Sequence, residues 1–159
     1  MLRRATLEDA SAIFSVHIAS IRTLAACTYS AEQVEAWCGV RESSNYFSPI
    51  LNKVVFIAEQ DGRVVGFSQM APEPGVVEAV YVHPSHAGLG LGMALLRAVE
   101  TEAVARGIAE LVLDASLNAV EFYAKAGYRS GQSSHHEVRP GVSIPCVTMS
   151  RSLRAPSGA

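Results

Sequence analysis

The chain lacks any apolar run near the roughly 20 residues that a membrane-spanning helix needs. Its first residues, Arg3 and Arg4 leading into a polar Thr6-Leu7-Glu8-Asp9, do not read as a secretory leader, so a cytoplasmic protein without a membrane partner is expected. An excess of either charge is also missing: 13 Lys and Arg stand against 15 Asp and Glu, a formal net charge of −2. That balance gives no electrostatic footprint for nucleic acid or an acidic membrane. Cysteine is scarce. Cys27, Cys38 and Cys146 are odd in number and irregularly spaced, which excludes a disulfide framework and reads as reduced thiols. No metal site is expected, because His83 and His86 lack a third nearby ligand and His135 and His136 would point to opposite strand faces. No Gly-x-Ser-x-Gly elbow supports serine hydrolysis, and no repeat, low-complexity tract or linker divides the chain.

What the chain does have is 49% hydrophobic residues, 18% charged residues and a length of 159, the profile of one globular domain spanning 1–159. Its organising stretch is 76–97. Val76 to Val82 is apolar except for Glu78, Pro84 ends the run, and Gly88, Gly90 and Gly92 follow at alternate positions. Met93, Leu95, Leu96 and Val99 then recur at helical spacing, so the segment reads as strand, glycine-rich turn and helix. Such a turn offers free backbone N–H groups at the positive end of a helix, a site for a phosphate. Glycine lets the backbone approach that anion closely. A nucleotide P-loop fails, since no Lys-Ser or Lys-Thr follows the glycines, and a dinucleotide fingerprint fails at Met93, where a third spaced glycine would stand.

Leu2 to Ala5 reads as a short strand. Thr6 caps a helix whose buried stripe is Ile13, Phe14, His17, Ile21 and Leu24. A second helix runs from Ala31 to about Cys38 and ends at Gly39; 41–52 reads as loop or broken helix. Val54 to Ala58 and Val64 to Met70 form a hairpin about Asp61-Gly62. The helix after the glycine loop stops at Gly107, Leu111 to Leu113 is a buried strand ending at Asp114, and a right-handed parallel βαβ unit follows. A short helix then runs from Ser116 to Ala126. Tyr128 to about Glu137 and Val142 to Met149 are strands, with a tail frayed from Arg151 to residue 159.

Several residues admit two readings. Glu78 is either a solvent-facing charge or a general base, and strict alternation puts it on the face of Val80 and Val82. Tyr123 is either core or a proton donor. Asn118 is a first-turn polar residue, and His17 on its apolar stripe reads as a hydrogen-bonded core histidine.

Taken together, three segments resemble the GNAT superfamily of acyl-CoA-dependent N-acetyltransferases: Val80 to Leu96 (VYVHPSHAGLGLGMALL), Leu113 to Ser116 (LDAS) and Phe122 to Tyr128 (FYAKAGY). Tyr29 to Gln33 with Trp37, and Asp114-Ala115-Ser116, resemble the YafP-type bacterial branch. The resemblance implies an α/β (α+β) fold, a mixed sheet splayed between its fourth and fifth strands and flanked by about four helices, with acetyl-CoA in the gap. It implies that the loop Ala87, Gly88, Leu89, Gly90, Leu91, Gly92 and Met93 holds the CoA pyrophosphate. The backbone of Tyr81 and Val82 would hold the pantetheine and acetyl carbonyl, and Asn118 would contact the pantetheine. Tyr123 would protonate the leaving thiolate, and Glu78 or Asp114 would deprotonate an amine. Ala87 departs from the family's usual Arg or Gln, which removes a side-chain contact but leaves the N–H cradle. Acetyl transfer to a small-molecule or peptide amine is therefore expected, with a non-catalytic acyl-CoA-binding module as the alternative. A homodimer is compatible with either. The acceptor would lie under the first two helices and 41–52, where Tyr29, Trp37, Tyr46 and Phe47 are candidate wall or core residues.

Overall fold

The computed structural model describes residues 1–39 and 41–154. Among these residues seven strands form one mixed sheet in the order β1-β2-β3-β4-β5-β7-β6. They are β1 Leu2–Arg4, β2 Val54–Gln60, β3 Arg63–Ala71, β4 Val76–Val82, β5 Glu110–Ser116, β6 Arg129–Arg139 and β7 Val142–Ser152. The α-helices are α1 Ala10–Ser20, α2 Ala31–Cys38, α3 Phe47–Asn52, α4 Leu91–Ala105 and α5 Val120–Lys125. The helix beyond the expected four is α3, a six-residue piece of the stretch expected as loop or broken helix, too short for a helical period to repeat. None of these helices is long and apolar enough to cross a membrane.

The hairpin forms as its sequence predicts. Gln60 pairs with Arg63 around a two-residue turn in which Asp61 and Gly62 both have positive φ, 51° and 74°. One face of the sheet packs on α4, where Leu96 and Val99 meet Val54, Met70, Leu111 and Leu113. The other face packs on α1, where Ile13 and Val16 meet Val55, Ile57 and Phe67.

The parallel pair β4–β5 is the weak seam. Its register holds only Val76 opposite Val112, with the Val112 N–H donating to the Gly75 carbonyl at 3.1 Å. Beyond that point β5 stays with β7, paired from Glu110–Ser152 to Ser116–Cys146, while β4 stays with β3. A bulge helps to part them. Gln69 pairs with Ala79 and Met70 with Val77, so Glu78 is the extra residue of β4. A bulge bends its strand and adds local twist, which turns the end of β4 away from β5.

Two expectations need correction. The first helix continues from α1 into a π-helical turn, Ile21–Ala25, and this wider turn shifts the inward face by a residue. Ala25 is buried and Leu24 is 41% exposed, the reverse of the expected stripe. The chain is also fastened past Arg151 rather than frayed from it. Arg151 and Ser152 close β7, Arg151 lies 2.8 Å from the buried Glu100 carboxylate, and the Leu153 N–H donates to the Ala109 carbonyl at 2.8 Å. Residues 155–159 of the expected tail lie outside the described residues.

Candidate active site

Gly88 and Gly90 both have φ +80°, and a Cβ built at either meets no atom within 4 Å. Packing therefore does not demand glycine there; the left-handed backbone does. Gly90 caps α4 without any side-chain hydrogen bond. No acceptor among the described residues meets the N–H groups from Gly88 to Met93. These open donors at a helix N-terminus fit the pyrophosphate of a coenzyme. Gly92 serves differently, since a Cβ there would stand 3.3 Å from the Phe122 ring, so it lets α4 and α5 approach. Ala87 and His86 border the adjoining cavity, whereas the Leu89 side chain does not and is 65% exposed.

Along β4 the gap-facing backbone groups can be assigned. The His83 N–H donates to the Val65 carbonyl at 2.7 Å, and the register runs Gly66–Val82, Phe67–Tyr81 and Ser68–Val80. Antiparallel alternation then turns the N–H and C=O of Tyr81 toward β3, and those of Val80 and Val82 toward the gap. The Ser20 hydroxyl agrees, because it reaches the Val82 carbonyl from α1 at 2.5 Å. Val82 therefore turns its backbone to the gap, whereas Tyr81 brings its side chain to the cavity while its backbone points away. Val80, unremarkable in sequence, presents backbone to the gap.

A cavity of about 830 Å³ follows the gap. At one end it meets the glycine loop, Leu91, Met93, Asn118 and Tyr123; at the other it meets His17, Trp37, Arg41 and Tyr46. Glu78 and Asp114 also border it, each two residues beyond the Val76–Val112 vertex. The bulge corrects the expected face of Glu78. Its carboxylate accepts from Gln69 Nε2 at 2.5 Å, and Gln69 alternates with Phe67 on the α1 side of β3, opposite the face of Val80 and Val82. Lys53 Nζ also holds both Glu78 oxygens, at 2.7 and 2.8 Å. Asp114 accepts from Thr148 Oγ1 at 2.8 Å through Oδ1, and Oδ2 has no partner among the described residues.

Tyr123 is buried on α5, its ring 5.0 Å from Phe122 and 5.7 Å from Tyr128. Its hydroxyl makes no hydrogen bond to the described residues, and burial pushes its pKa above the ordinary tyrosine value. Asn118 sits in the short 3₁₀ turn Leu117–Ala119 that precedes α5.

Of the proposed acceptor wall, Trp37 and Tyr46 border the cavity, but Phe47 and Tyr29 do not. Phe47 is 44% exposed. The Tyr29 hydroxyl accepts from the Leu117 N–H at 2.8 Å and donates to the Pro145 carbonyl at 2.6 Å, tying the segment before α2 to the β5–β7 side of the gap. Arg41 and His17 belong to the cavity as well, through tertiary placement that no local pattern announces. No group of three His, Cys, Asp or Glu able to hold a metal occurs among the described residues.

A mixed sheet opened at a parallel seam, with an unfilled N–H cradle beside the opening, defines a coenzyme-binding transferase architecture. The chain belongs to the GNAT acetyltransferases: the family model for the acetyltransferase (GNAT) domain matches residues 25–152. A crystal structure of a GCN5-related N-acetyltransferase from Rhodopseudomonas palustris is 35% identical, with a TM-score of 0.89 over 96% of this chain and 94% of that one. The PaiA N-acetyltransferase of Thermoplasma acidophilum, solved with coenzyme A, has the same fold at 20% identity, with a TM-score of 0.79 over 96% and 98% of the two chains. The N-acetyltransferase YafP of Escherichia coli is 24% identical over 131 residues, 82% of each chain. Glucosamine 6-phosphate N-acetyltransferase of Trypanosoma brucei brucei is 33% identical over 85 residues, 48% of this chain and 58% of that protein, so the match spans less than two thirds of that relative.

Proposed function

We propose that the protein transfers an acetyl group from acetyl-CoA to a primary amine by direct attack, with both substrates bound at once. The observation that carries this reading is the continuous cavity. It joins an open N–H cradle, a buried tyrosine hydroxyl, two carboxylates and an aromatic far end, and at about 830 Å³ it has the size of a ligand site. Acetyl-CoA, when bound, supplies an activated acyl carbon and a sulfur leaving group.

The chain's own residues do the rest. Backbone N–H groups from Gly88 to Met93 hold the pyrophosphate, with Asn118 beside the pantetheine. The gap-facing N–H groups of Val80 and Val82 polarise the acyl carbonyl, without any reorganisation at the moment of reaction. Asp114 Oδ2 takes the proton that the ammonium must lose before its lone pair can attack. Glu78, whose oxygens already hold Lys53 and Gln69, takes a proton only through an intervening water. Tyr123 gives its hydroxyl proton to the departing sulfur, which would otherwise be a buried anion.

Ala87 supports a second reading, an acyl-CoA-binding module without turnover, because no side chain there adds to coenzyme affinity. A thiol-release screen with acetyl-CoA over small amines, amino sugars and peptide amines separates the two. Release above the no-acceptor rate supports transfer, and CoA binding without release from any amine supports the module. In either case we place the protein in the cytoplasm, as one domain with no nucleic-acid or membrane partner.

A further inference from the structure

The far end of the cavity carries polar groups that acetyl transfer does not itself require. His17 projects from α1 and is only 6% exposed. Its Nδ1 lies 2.7 Å from the Tyr46 hydroxyl. Its Nε2 is the one buried side-chain nitrogen or oxygen without a partner among the described residues, and the residue borders the cavity. Buried polar atoms are nearly always paired, so an orphan on a residue of the cavity wall calls for a partner that a ligand brings. Burial pushes the ring's pKa down to about 3, so at neutral pH the imidazole is uncharged and carries one proton.

Arg41 bears on where that proton sits. Its Nε donates to the Trp37 carbonyl at 3.3 Å, and its charge acts on both Tyr46 and His17. A guanidinium can only donate, so a Tyr46 oxygen that accepts from it keeps its own proton free to donate to His17 Nδ1. In that arrangement the neutral ring carries its proton on Nε2, directed away from Tyr46. Arg41 is ion-paired with no carboxylate among the described residues. A cation and a neutral N–H donor thus stand at one end of a cavity walled by Trp37, Phe67 and Tyr81, while the carboxylates Glu78 and Asp114 lie nearer the vertex.

We infer that the acceptor is an amine bearing an oxyanion, a carboxylate or a phosphate, on a compact apolar body, with Arg41 and His17 Nε2 holding the oxyanion while the amine lies toward Asp114 and Glu78. This rests on the acetyl-transfer reading of the same cavity and narrows its substrate class. An arginine fork matches either oxyanion in two hydrogen bonds, and the separation of positive and negative groups orients a zwitterion in one direction only.

The test uses matched pairs that differ in the anion: L-phenylalanine against 2-phenylethylamine, and O-phosphoethanolamine against ethanolamine. Calorimetry on the CoA-saturated protein measures binding, and thiol release with acetyl-CoA measures transfer. The anionic member of one pair is expected to bind about 10- to 100-fold more tightly, as charge-assisted bonds allow, and the pair that responds tells carboxylate from phosphate. Arg41→Gln should abolish the difference, Arg41→Lys should keep part of it, and His17→Phe should reduce it. Arg41 is exposed, so its variants should melt like the wild type, which keeps the test valid if His17→Phe folds poorly. Equal affinities, no binding of any of the four, or a difference that survives in Arg41→Gln overturns the inference. Anion-dependent binding without thiol release would leave the subsite standing and sink acetyl transfer; release without anion preference would do the reverse.

Discussion

Replacing Tyr123 by Phe removes one oxygen atom and leaves the ring. In the fold that oxygen makes no hydrogen bond to the described residues, so no partner is orphaned by its loss. The ring contacts with Phe122 and Tyr128 stay. The stability change should therefore be below about 0.5 kcal/mol, a melting shift within about 2 °C for a chain of this size. Catalysis should respond far more. An unperturbed thiol titrates near ~8.5 and a tyrosine near ~10, so protonating the thiolate is uphill by roughly 2 kcal/mol in water. Burial raises the tyrosine, and it raises a thiolate in the same cavity for the same reason, so the transfer remains accessible while an unprotonated sulfur anion becomes costlier. The expected loss of kcat is about 10- to 1,000-fold, or roughly 1.4–4 kcal/mol of barrier. Because the hydroxyl stays protonated to above its ordinary value, the wild-type rate should show no alkaline fall from Tyr123 below about pH 10. Steady-state rates on a productive amine, with CoA calorimetry and melting as controls, read all of this. Wild-type kcat in a folded Phe variant would refute the acid role. A variant that melts several degrees early would show that the hydroxyl has a structural partner instead.

Three further outcomes are expected. Gly90→Val places a β-branched residue at φ +80° and a side chain where the coenzyme phosphate meets the backbone, so CoA affinity by calorimetry should fall at least about 10-fold; equal affinity would remove the pyrophosphate from this loop. Asp114→Asn should lower kcat by about 10²- to 10⁴-fold, and Glu78→Gln by less, since Asp114 alone has an unengaged oxygen; the opposite order would make Glu78 the base. His17 is held neutral in the fold and takes up a proton on unfolding, so its contribution is complete above its unfolded value of ~6.5 and is lost as pH falls toward about 3. Denaturant unfolding should lose about 1.4 kcal/mol per pH unit over pH 6 to 4.5 from this group, and an unchanged slope in His17→Phe would rule it out as the cause.

Features encoded over a few residues were legible. Asp61-Gly62 announces its turn, Gly39 ends α2 with a positive φ, and α4 starts at Leu91 within the glycine run. Features that depend on a partner strand or a neighbouring helix were not. The bulge at Glu78 is a register event between β3 and β4, and nothing in Val77-Glu78-Ala79 signals it. It reverses the face that alternation predicts for the residue most open to a catalytic reading. The π-helical turn likewise exchanges Leu24 for Ala25 without any glycine or proline to mark it. Nothing in the sequence marks Val80, because its contribution lies in its backbone, and which backbone groups face the gap follows from pairing with Ser68. On its apolar stripe His17 reads as a hydrogen-bonded core histidine. One nitrogen fits that description and the other does not.

The two ends of the cavity are built from different materials, and this governs how they can change. The coenzyme end is main chain: N–H groups from Gly88 to Met93 and the gap-facing groups of Val80 and Val82. A substitution there acts only if it alters φ or blocks the approach, so Ala87 can stand where a larger side chain would add a contact without dismantling the cradle. The far end is side chain, supplied by α1, the residues after α2, and the turn carrying Tyr46. Each of those groups can be exchanged without moving the β4–β5 seam, because the seam is held from behind by α4 and from the side by β7. Acceptor choice is thus separable from coenzyme binding in this fold. Arg41→Gln and Gly90→Val should consequently be independent, their effects on acceptor and CoA affinity adding within about 0.5 kcal/mol in the double variant. A larger coupling by calorimetry would mean that the acceptor end reaches the loop through α1, where Ser20 already touches the Val82 carbonyl.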